Sequence, residues 1–453
     1  MKDIEDEIPF DVPDGWSWCR LKEIGNTNIG LTYHPVDLIK TGIPVLRSNN
    51  IKDDKLCLSD LARVQTKILN NQFVSTGDIL ICARNGSKNL VGKCTIISNL
   101  PEKMAFGAFM AVFRSEFNPY ILRYLQSIYF KDYLEESNST QIYQLTQNML
   151  KEAFLPLPPL SEQQLIDAEI EKIFAQIDLL EQNKTDLQTA IKQTKSKILD
   201  LAIHGKLVPQ DPNDEPASVL LEKIRAEKEE KIAKGELKRD KNDSYIYKGS
   251  DNCHYQKNAD GSIINIEGEI PFEVPESWCW CRFGEICEFI GGVSYKKNDI
   301  TNTGIRILRG GNIQAGKIID EIDDVFVPFS YFDKNNSVYE NDIVLVASTG
   351  SNLLIGKTGF AYKNLQNTQI GAFLRIIRTD NSFYAKYNNI VLLSEYYKTY
   401  IRNIAGGTNI NNVKTEYLSN FLIPLPPLTE QTRIVAKIEE LFTLLDNIQN
   451  NLI

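Results

Sequence analysis

The spacing of apolar residues changes along the chain, and the change divides it into segments of two kinds. In residues 7–155 and 269–422 the apolar residues form short β-branched and aromatic runs, such as those after Asp78 and Asp342, bounded by Gly, Asn and Pro. Runs of this kind are typical of strands and turns. Towards its end each segment becomes helical and rich in tyrosine, so each is predicted to be a mixed α+β domain.

A different period follows the sequence PLPPL, which ends at Leu160 and occurs again before Thr429. Over residues 161–203 the apolar positions alternate steps of four and three, a heptad pattern that predicts one helix roughly 65 Å long. The Pro-Pro pair blocks an earlier start, and Ser161 with Gln164 fits a capping box. Gly205 is predicted to end this helix.

The heptad register returns after Pro427 and continues to Ile453. Two apolar seams of the same period bury each other most simply as an antiparallel pair of helices. The alternative is that each helix packs separately on its own domain. The seam is predicted to comprise Ile166, Ile170, Ile173, Ile177, Leu180, Leu187, Ile191, Ile198, Ile434, Ile438, Leu441, Leu445 and Ile448.

The chain is an internal duplication. Residues 7–24 and 269–286 are identical at 12 of 18 positions, and further matches recur at offsets of 262 to 268 residues as far as the two PLPPL sequences. A repeat of this length is too long for a solenoid, so each copy is predicted to be a domain with an attached element. The predicted segments are a first domain (1–155), a long heptad helix (156–204), a charged connector (205–268), a second domain (269–422) and a C-terminal heptad helix (423–453).

The connector differs from both kinds of segment. It begins with Pro-Asp turns, continues as a highly charged helix and ends in what its polarity predicts to be a loop over residues 249–268. Leu220, Leu221 and Ile224 form its only obvious docking face.

The sequence offers little catalytic chemistry. Its eight cysteines include no CxxC pair and only three histidines accompany them, so we expect reduced thiols and no metal site. The segment from Gly350 to Thr358 resembles a phosphate-binding loop but has Ser351 where that loop needs glycine. The segment Asn118-Pro119-Tyr120 lacks one proline of an amino-methyltransferase tetrad and is predicted to start a helix instead.

A polar binding surface is the better prediction. The two copies share one framework, but the polar residues at their predicted loop tips differ. Arg, Asn, Gln and Ser reach base edges in the major groove of DNA, and Lys suits phosphates. The candidate DNA-binding residues are Arg47, Asn49, Asn50, Arg84, Asn85, Ser87, Lys88, Lys93, Gln141, Tyr143, Gln144, Arg309, Asn312, Thr349, Ser351, Asn352, Lys357, Asn409, Asn411, Asn412 and Lys414.

These motifs together resemble one known family. The paired IPFxVPxxWxWCR starts, the two PLPPLxEQ sequences that each begin a heptad helix, and the connector HGKLVPQDPNDEPASVLLEKIRAEKE are similar to the specificity subunit of type I restriction-modification systems. The resemblance covers nearly the whole chain. It implies an α+β fold in which two target-recognition domains are joined by long antiparallel coiled-coil helices.

The resemblance also implies partners. In that family each domain contacts one half of a bipartite DNA site, the helices act as a ruler, and the helical regions recruit two modification subunits that use S-adenosylmethionine. A restriction subunit that uses ATP with Mg²⁺ joins for cleavage, so this chain is expected to bind double-stranded DNA without a cofactor or catalysis of its own. The second heptad helix is shorter than the first, so we expect incomplete pairing at its far end.

The net charge of −9 first argues against a nucleic-acid partner. Counted by segment, however, residues 15–155 carry 16 basic and 12 acidic side chains, and residues 271–422 carry 15 of each. The acidic excess lies mainly on the N-terminal tail and on the helical scaffold of residues 156–270, where a protein partner could dock. No apolar run approaches the ~20 residues of a membrane helix, so a cytoplasmic protein is expected. A stand-alone DNA-binding regulator and a DNA methyltransferase are the alternative functions.

Overall fold

The structure is a computed structural model that describes residues 8–138, 143–236, 243–320, 324–350, 354–379, 382–405 and 412–452. The chain forms two compact units, Met1–Gln182 and Asn183–Ile453. Each unit mixes helices with β-sheet, as the sequence predicts.

The first unit contains the elements of the first repeat. Its strands are β1 (Ser17–Arg20), β2 (Asn26–Ile29), β3 (Leu38–Leu46), β4 (Ile51–Lys52), β5 (Lys55–Leu56), β6 (Ala62–Val64), β7 (Ile79–Cys82), β8 (Cys94–Ile96), β9 (Ala105–Phe106), β10 (Met110–Arg114) and β11 (Phe154–Leu157). Its helices are α1 (Leu21–Ile24), α2 (Asn118–Gln126), α3 (Ile128–Glu136), α4 (Gln147–Glu152) and the first part of α5 (Leu160–Ile203). Asn118 begins α2, so the predicted helix start is confirmed.

The second unit contains the rest of α5, the connector and the second repeat. Its strands are β12 (Ser244–Lys248), β13 (His254–Asn258), β14 (Ile263–Asn265), β15 (Cys279–Arg282), β16 (Glu288–Gly291), β17 (Ile305–Leu308), β18 (Ile313–Gln314), β19 (Gly316–Ile318), β20 (Val325–Val327), β21 (Ile343–Val346), β22 (Thr358–Phe360), β23 (Thr368–Ile370), β24 (Leu374–Arg378) and β25 (Leu422–Leu425). Its helices are α6 (Ala217–Ala233), α7 (Phe283–Ile286), α8 (Ser382–Leu393), α9 (Glu395–Ala405), α10 (Thr415–Asn420) and α11 (Leu428–Asn450).

The sheets repeat between the units. The first unit has the antiparallel order β2-β10-β7-β8 and a smaller sheet β6-β3-β9 in which β3 and β9 run parallel. The second unit has β16-β24-β21-β22, extended by β19 and β18, and the smaller sheet β20-β17-β23. The sequence duplication is therefore a duplication of strand order.

The central strand of each main sheet separates two apolar layers. In β7, Ile79 and Ile81 face a cluster formed with the helices, whereas Leu80 and Cys82 face a second cluster on the other side of the sheet. The strand β21 alternates in the same way. Because successive side chains of a strand point to opposite faces, a strand covered on both sides is apolar at every position.

The PLPPLxEQ sequence joins the last strand of each repeat to a long helix. The helix α5 runs from Leu160 to Ile203, which confirms the predicted helix. Ser161 lies inside its first turn, so the predicted capping box with Gln164 is wrong. The buried amide of Gln163 bonds to Pro158 O at 2.8 Å instead, and Gln431 bonds to Pro426 O at 3.0 Å in the second repeat.

Within the second unit, the end of α5 packs against α11. Ile198 of α5 and Ile434 and Ile438 of α11 are buried in one core, and Leu441 and Leu445 pack at its edge. Ile191 of α5 is buried as well. Lys195 forms an ion pair with Asp446 near the end of α11. The antiparallel seam is therefore present here.

Other predicted seam positions differ in burial. Ile166 packs on the core of the first unit, and Ile170 is half-buried. The seam side chains that are exposed are Ile173, Ile177, Leu180, Leu187 and Ile448. The apolar surface of α5 between residues 173 and 187 is thus uncovered.

The connector contains a sheet that the sequence did not predict. Its strands β12, β13 and β14 form a three-stranded antiparallel meander, so the prediction of a polar loop over 249–268 is wrong. Only Ile246 and Ile266 are anchored, against Trp280 and Leu422. Ile246 is the one buried residue inside these three strands, because Ile266 follows β14, and a single buried position is too few to show a period. The predicted docking face of Leu220, Leu221 and Ile224 is confirmed, because these side chains pack into the core of the second unit.

Candidate nucleic-acid interface

Three loops from distant parts of the first repeat meet at one end of its sheets. The loop after β3 carries Arg47 and Ser48, and the loop after β7 carries Arg84 and Asn85. The Asn85 amide donates to Ser48 Oγ at 3.1 Å, and Arg84 forms a β-bridge with Gln144 of the third loop. The sequence predicted that residues of each of these loops contact DNA, and the fold brings the three loops into contact with one another.

Several predicted side chains here have protein partners. Arg47 lies 3.6 Å from the Asp60 carboxylate, and the Asn49 amide donates to the same carboxylate at 3.0 Å. The Lys88 ammonium pairs with Glu135 at 3.1 Å and lies 4.9 Å from the centre of the Tyr143 ring. These side chains are pre-positioned by contacts that a DNA phosphate or base would have to replace or share.

Two predicted base-reading residues are structural instead. Asn50 and Asn312 are both buried, and the amide of Asn50 donates to Cys57 O at 3.0 Å. The Oδ1 atoms of these asparagines accept hydrogen bonds from the backbone N–H of Arg47 and Arg309, at 2.9 and 2.8 Å. Each closes its own loop and is unavailable to a base, so this part of the prediction is corrected.

The second repeat brings its equivalent loops together. Ser348 forms a β-bridge with Asn412, and Val413 N donates to Ala347 O at 2.7 Å. Arg309 is half-buried beside Gly310, and Thr349 is half-buried in the loop after β21.

The lysines predicted to contact phosphates are placed unequally. Lys357 and Lys414 are exposed, whereas Lys93, which corresponds to Lys357, is half-buried. Ser87, a predicted base-contacting residue, is exposed. Thr358 opens strand β22, so no helix follows the segment that resembles a phosphate-binding loop. The predicted residues that lie outside the described part of the chain are Gln141, Ser351, Asn352, Asn409 and Asn411.

One feature of both loop clusters was missed by sequence reasoning. Phe109 and Phe373 are 62% and 69% exposed and occupy equivalent positions before β10 and β24. The signal was present, because the triplet Gly-Ala-Phe recurs at 107–109 and 371–373.

Burial makes several of the cysteine thiols unreactive. Burial raises the pKa of the Cys94 thiol to about 12 and that of Cys279 to about 11, and it raises the pKa of Cys281 as well. Thiols with raised pKa values are poor nucleophiles at neutral pH. Among the described residues, no group of three or more His, Cys, Asp and Glu side chains could hold a metal ion. No helix in the described ranges has the length and apolar character to cross a bilayer.

Comparison with known proteins identifies relatives of this scaffold. The family model described as "Type I restriction modification DNA specificity domain" matches residues 13–189 and 275–453. The type I restriction enzyme EcoAI specificity subunit of Escherichia coli is 28% identical, and the match covers 96% of this chain and 79% of that protein. The EcoKI specificity subunit of Escherichia coli K12 is 24% identical over 97% of this chain and 84% of that protein.

Solved structures share the fold. The HsdS subunit from Thermoanaerobacter tengcongensis superposes with a TM-score of 0.53 at 16% identity, covering 99% of this chain and 94% of that one. A chain from a structure of type I R-M complex assembly superposes with a TM-score of 0.58 at 16% identity, covering 98% and 94%. These structures support the two-repeat architecture.

Proposed function

This chain belongs to the type I restriction-modification DNA specificity family and is a DNA specificity subunit, and on that premise we propose that it reads an asymmetric two-part DNA site. Each repeat reads one half of the site through its loop cluster. The helices α5 and α11 set the length of the unread spacer.

One observation supports this proposal most: the two repeats have the same strand order, but their loops carry different polar side chains. The same strand order and the same inter-strand contacts hold Arg84 and Asn85 in one repeat and Ser348 and Thr349 in the other. Side chains of different hydrogen-bonding pattern select different base pairs in the major groove. Two such clusters would therefore read two different half-sites.

The charge of this chain and the family to which it belongs indicate the partners of the proposed complex. We propose that two modification subunits, which use S-adenosylmethionine, dock on the helical scaffold and perform adenine methylation. A restriction subunit that uses ATP with Mg²⁺ would add cleavage, and the complex would act in the cytoplasm. Because the two recognition domains are near neutral, a basic partner would supply much of the attraction to DNA phosphates.

Reconstitution tests the proposal. The full chain with S-adenosylmethionine and DNA should give no methylation, and adding a modification subunit of a matching type I system should give adenine methylation at a bipartite site. Replacing residues 1–155 with the corresponding domain of a relative should change one half-site only. Methylation by the chain alone, or a change in both half-sites after the swap, would contradict the proposal.

A further inference from the structure

We propose that Phe109 and Phe373 contact bases directly, and that each ring supplies an apolar contact to the half-site read by its own repeat. This inference rests on the proposed function and goes beyond it by assigning a base contact to residues that are neither charged nor polar. Both aromatic side chains are exposed to solvent and are not packed in a core.

The backbone that carries each ring is held on both sides. The Phe109 carbonyl accepts hydrogen bonds from Ala83 N at 2.9 Å and Arg84 N at 3.0 Å. Met110 N donates to Gly107 O at 2.8 Å, which closes the turn, and Gly107 N donates to Leu46 O at 2.9 Å. These bonds fix the turn to the starts of both loops that carry candidate base-reading residues.

The second repeat reproduces this arrangement bond for bond. The Phe373 carbonyl accepts from Ala347 N at 2.9 Å and Ser348 N at 3.0 Å. Leu374 N donates to Gly371 O at 2.9 Å, and Gly371 N donates to Leu308 O at 3.0 Å. A rigid turn needs no ordering when it binds, so the ring loses little entropy on contact.

In both repeats a glycine of a neighbouring segment lies close to the backbone of this turn. A Cβ atom at Gly30 would lie 2.2 Å from Phe106 O, and one at Gly292 would lie 2.1 Å from Gly371 O. Both positions therefore require glycine, and the close approach keeps the turn against the sheet.

Among the described residues, exposed apolar residues elsewhere do not keep both identity and exposure in the two copies: Leu38 corresponds to Ile300 and Leu180 to Ile448, and others are exposed and apolar in one copy only. Ile128, at the start of α3, corresponds to Glu395 at the start of α9, and Ile29, at the end of β2, corresponds to Gly291 at the end of β16. The ring at 109 and 373 has kept both its identity and its exposure while the adjoining polar residues differ.

The surroundings of each ring fit a nucleic acid rather than a protein partner. The Arg84 guanidinium lies 5.8 Å from the centre of the Phe109 ring, and the loops bonded to its turn contain Asn, Ser and Lys side chains. A ring beside base-edge donors and acceptors can pack on a thymine methyl group or lie against the face of an unstacked base. Both contacts use the apolar surface of a base.

The test uses the full chain with its modification subunit and a duplex that carries the two half-sites found by mapping adenine methylation. Phe109→Ala and Phe373→Ala should each weaken binding to this duplex at least tenfold and relax base preference in one half-site only. Phe→Leu at either position should give an intermediate loss, because it keeps apolar surface but no ring. A thymine-to-uracil duplex and a 2-aminopurine duplex then distinguish methyl contact from unstacking.

Two matched controls remove exposed apolar side chains elsewhere. Ile128 is the first residue of α3 and is 76% exposed. Glu135, which pairs with Lys88 of the proposed DNA-binding loops, lies near the other end of that helix. Phe329 is 61% exposed and lies two residues after Val327. Val327 pairs with Ile305, the first residue of β17, whereas Arg309 follows the last residue of that strand. Ile128→Ala and Phe329→Ala should leave binding unchanged.

The outcomes separate this inference from the proposed function. If the wild-type complex methylates a bipartite site but both Phe→Ala variants bind that site as tightly as the controls, the inference is wrong and the proposed function stands. If the wild-type complex shows no sequence preference, the proposed function itself fails. Loss confined to one half-site for each variant supports both.

Discussion

The indole Nε1 of Trp278 donates a hydrogen bond to Glu430 Oε2 at 2.9 Å, and both side chains are buried. Trp16 and Glu162 make the same bond at 3.0 Å in the first repeat. Each tryptophan precedes the first strand of a domain, and each glutamate lies in the first turn of the helix that follows PLPPL. The bond therefore ties the beginning of a recognition domain to the helix that leaves it.

Removal of this acceptor should destabilise the second unit. Glu430→Ala leaves the buried Trp278 N–H without its acceptor, and an unsatisfied buried donor costs about 1–3 kcal/mol. Glu162→Ala should cost less because Trp16 is half-buried and can bond to water. Urea unfolding of the two full-length variants measures both losses; a larger loss for Glu162→Ala would contradict this account of the bond.

Two carboxylates at this junction should give opposite pH dependence. Burial raises the pKa of Glu430, whereas hydrogen bonds from Arg433 lower the pKa of Asp214. The raised group stabilises the fold below its ordinary pKa of about 4.3 and loses this contribution as pH rises. The lowered group stabilises the fold above about pH 3.9 and loses this contribution as pH falls.

Unfolding midpoints between pH 3 and pH 7 test these signs. Relative to wild type, Glu430→Gln should gain stability as the pH rises through the raised pKa of Glu430. Asp214→Asn should lose stability relative to wild type over the range where Asp214 becomes ionised. Parallel pH profiles for the two variants would show that the assigned causes are wrong.

The larger features of the fold were predictable because they are periodic or repeated. The heptad steps predicted α5, and the duplication predicted two domains of one architecture. The PLPPLxEQ motif was recognised, but the roles of Gln163 and Glu162 depend on contacts with Pro158 and Trp16 that no local pattern encodes.

The candidate site was less predictable because its loops have no period. Asn50 follows the polar residues Arg47, Ser48 and Asn49, yet its side chain turns inward and closes the loop. Nothing in the residue types distinguishes it from the exposed Asn49. Phe109 is the converse case, since an aromatic residue next to an apolar strand is ordinarily assigned to the core.

Salt dependence should identify phosphate contacts in the second repeat. Lys357 is exposed next to the loop after β21, so Lys357→Ala should lower the slope of log Kd against log salt concentration by about 0.9 and weaken all sequences alike. Lys363 is also exposed but follows Phe360, which pairs with Ile343 at the opposite end of β21. Lys363→Ala is therefore the control, and an equal change in both variants would argue against a specific contact by Lys357.

Lengthening α5 should lengthen the unread spacer of the proposed site. Between Ile173 and Leu187 the seam side chains are exposed, so seven residues inserted there disturb no buried contact. Seven residues add about 10.5 Å of helix and return the seam to nearly the same face. At about 3.4 Å per base pair, methylation mapping of the reconstituted complex should show a spacer about three base pairs longer with unchanged half-sites.

A four-residue insertion is the matched control, because it rotates the two ends of the helix relative to each other and should reduce methylation. Altered half-site bases with an unchanged spacer would refute the assignment of α5 as the element that sets spacing.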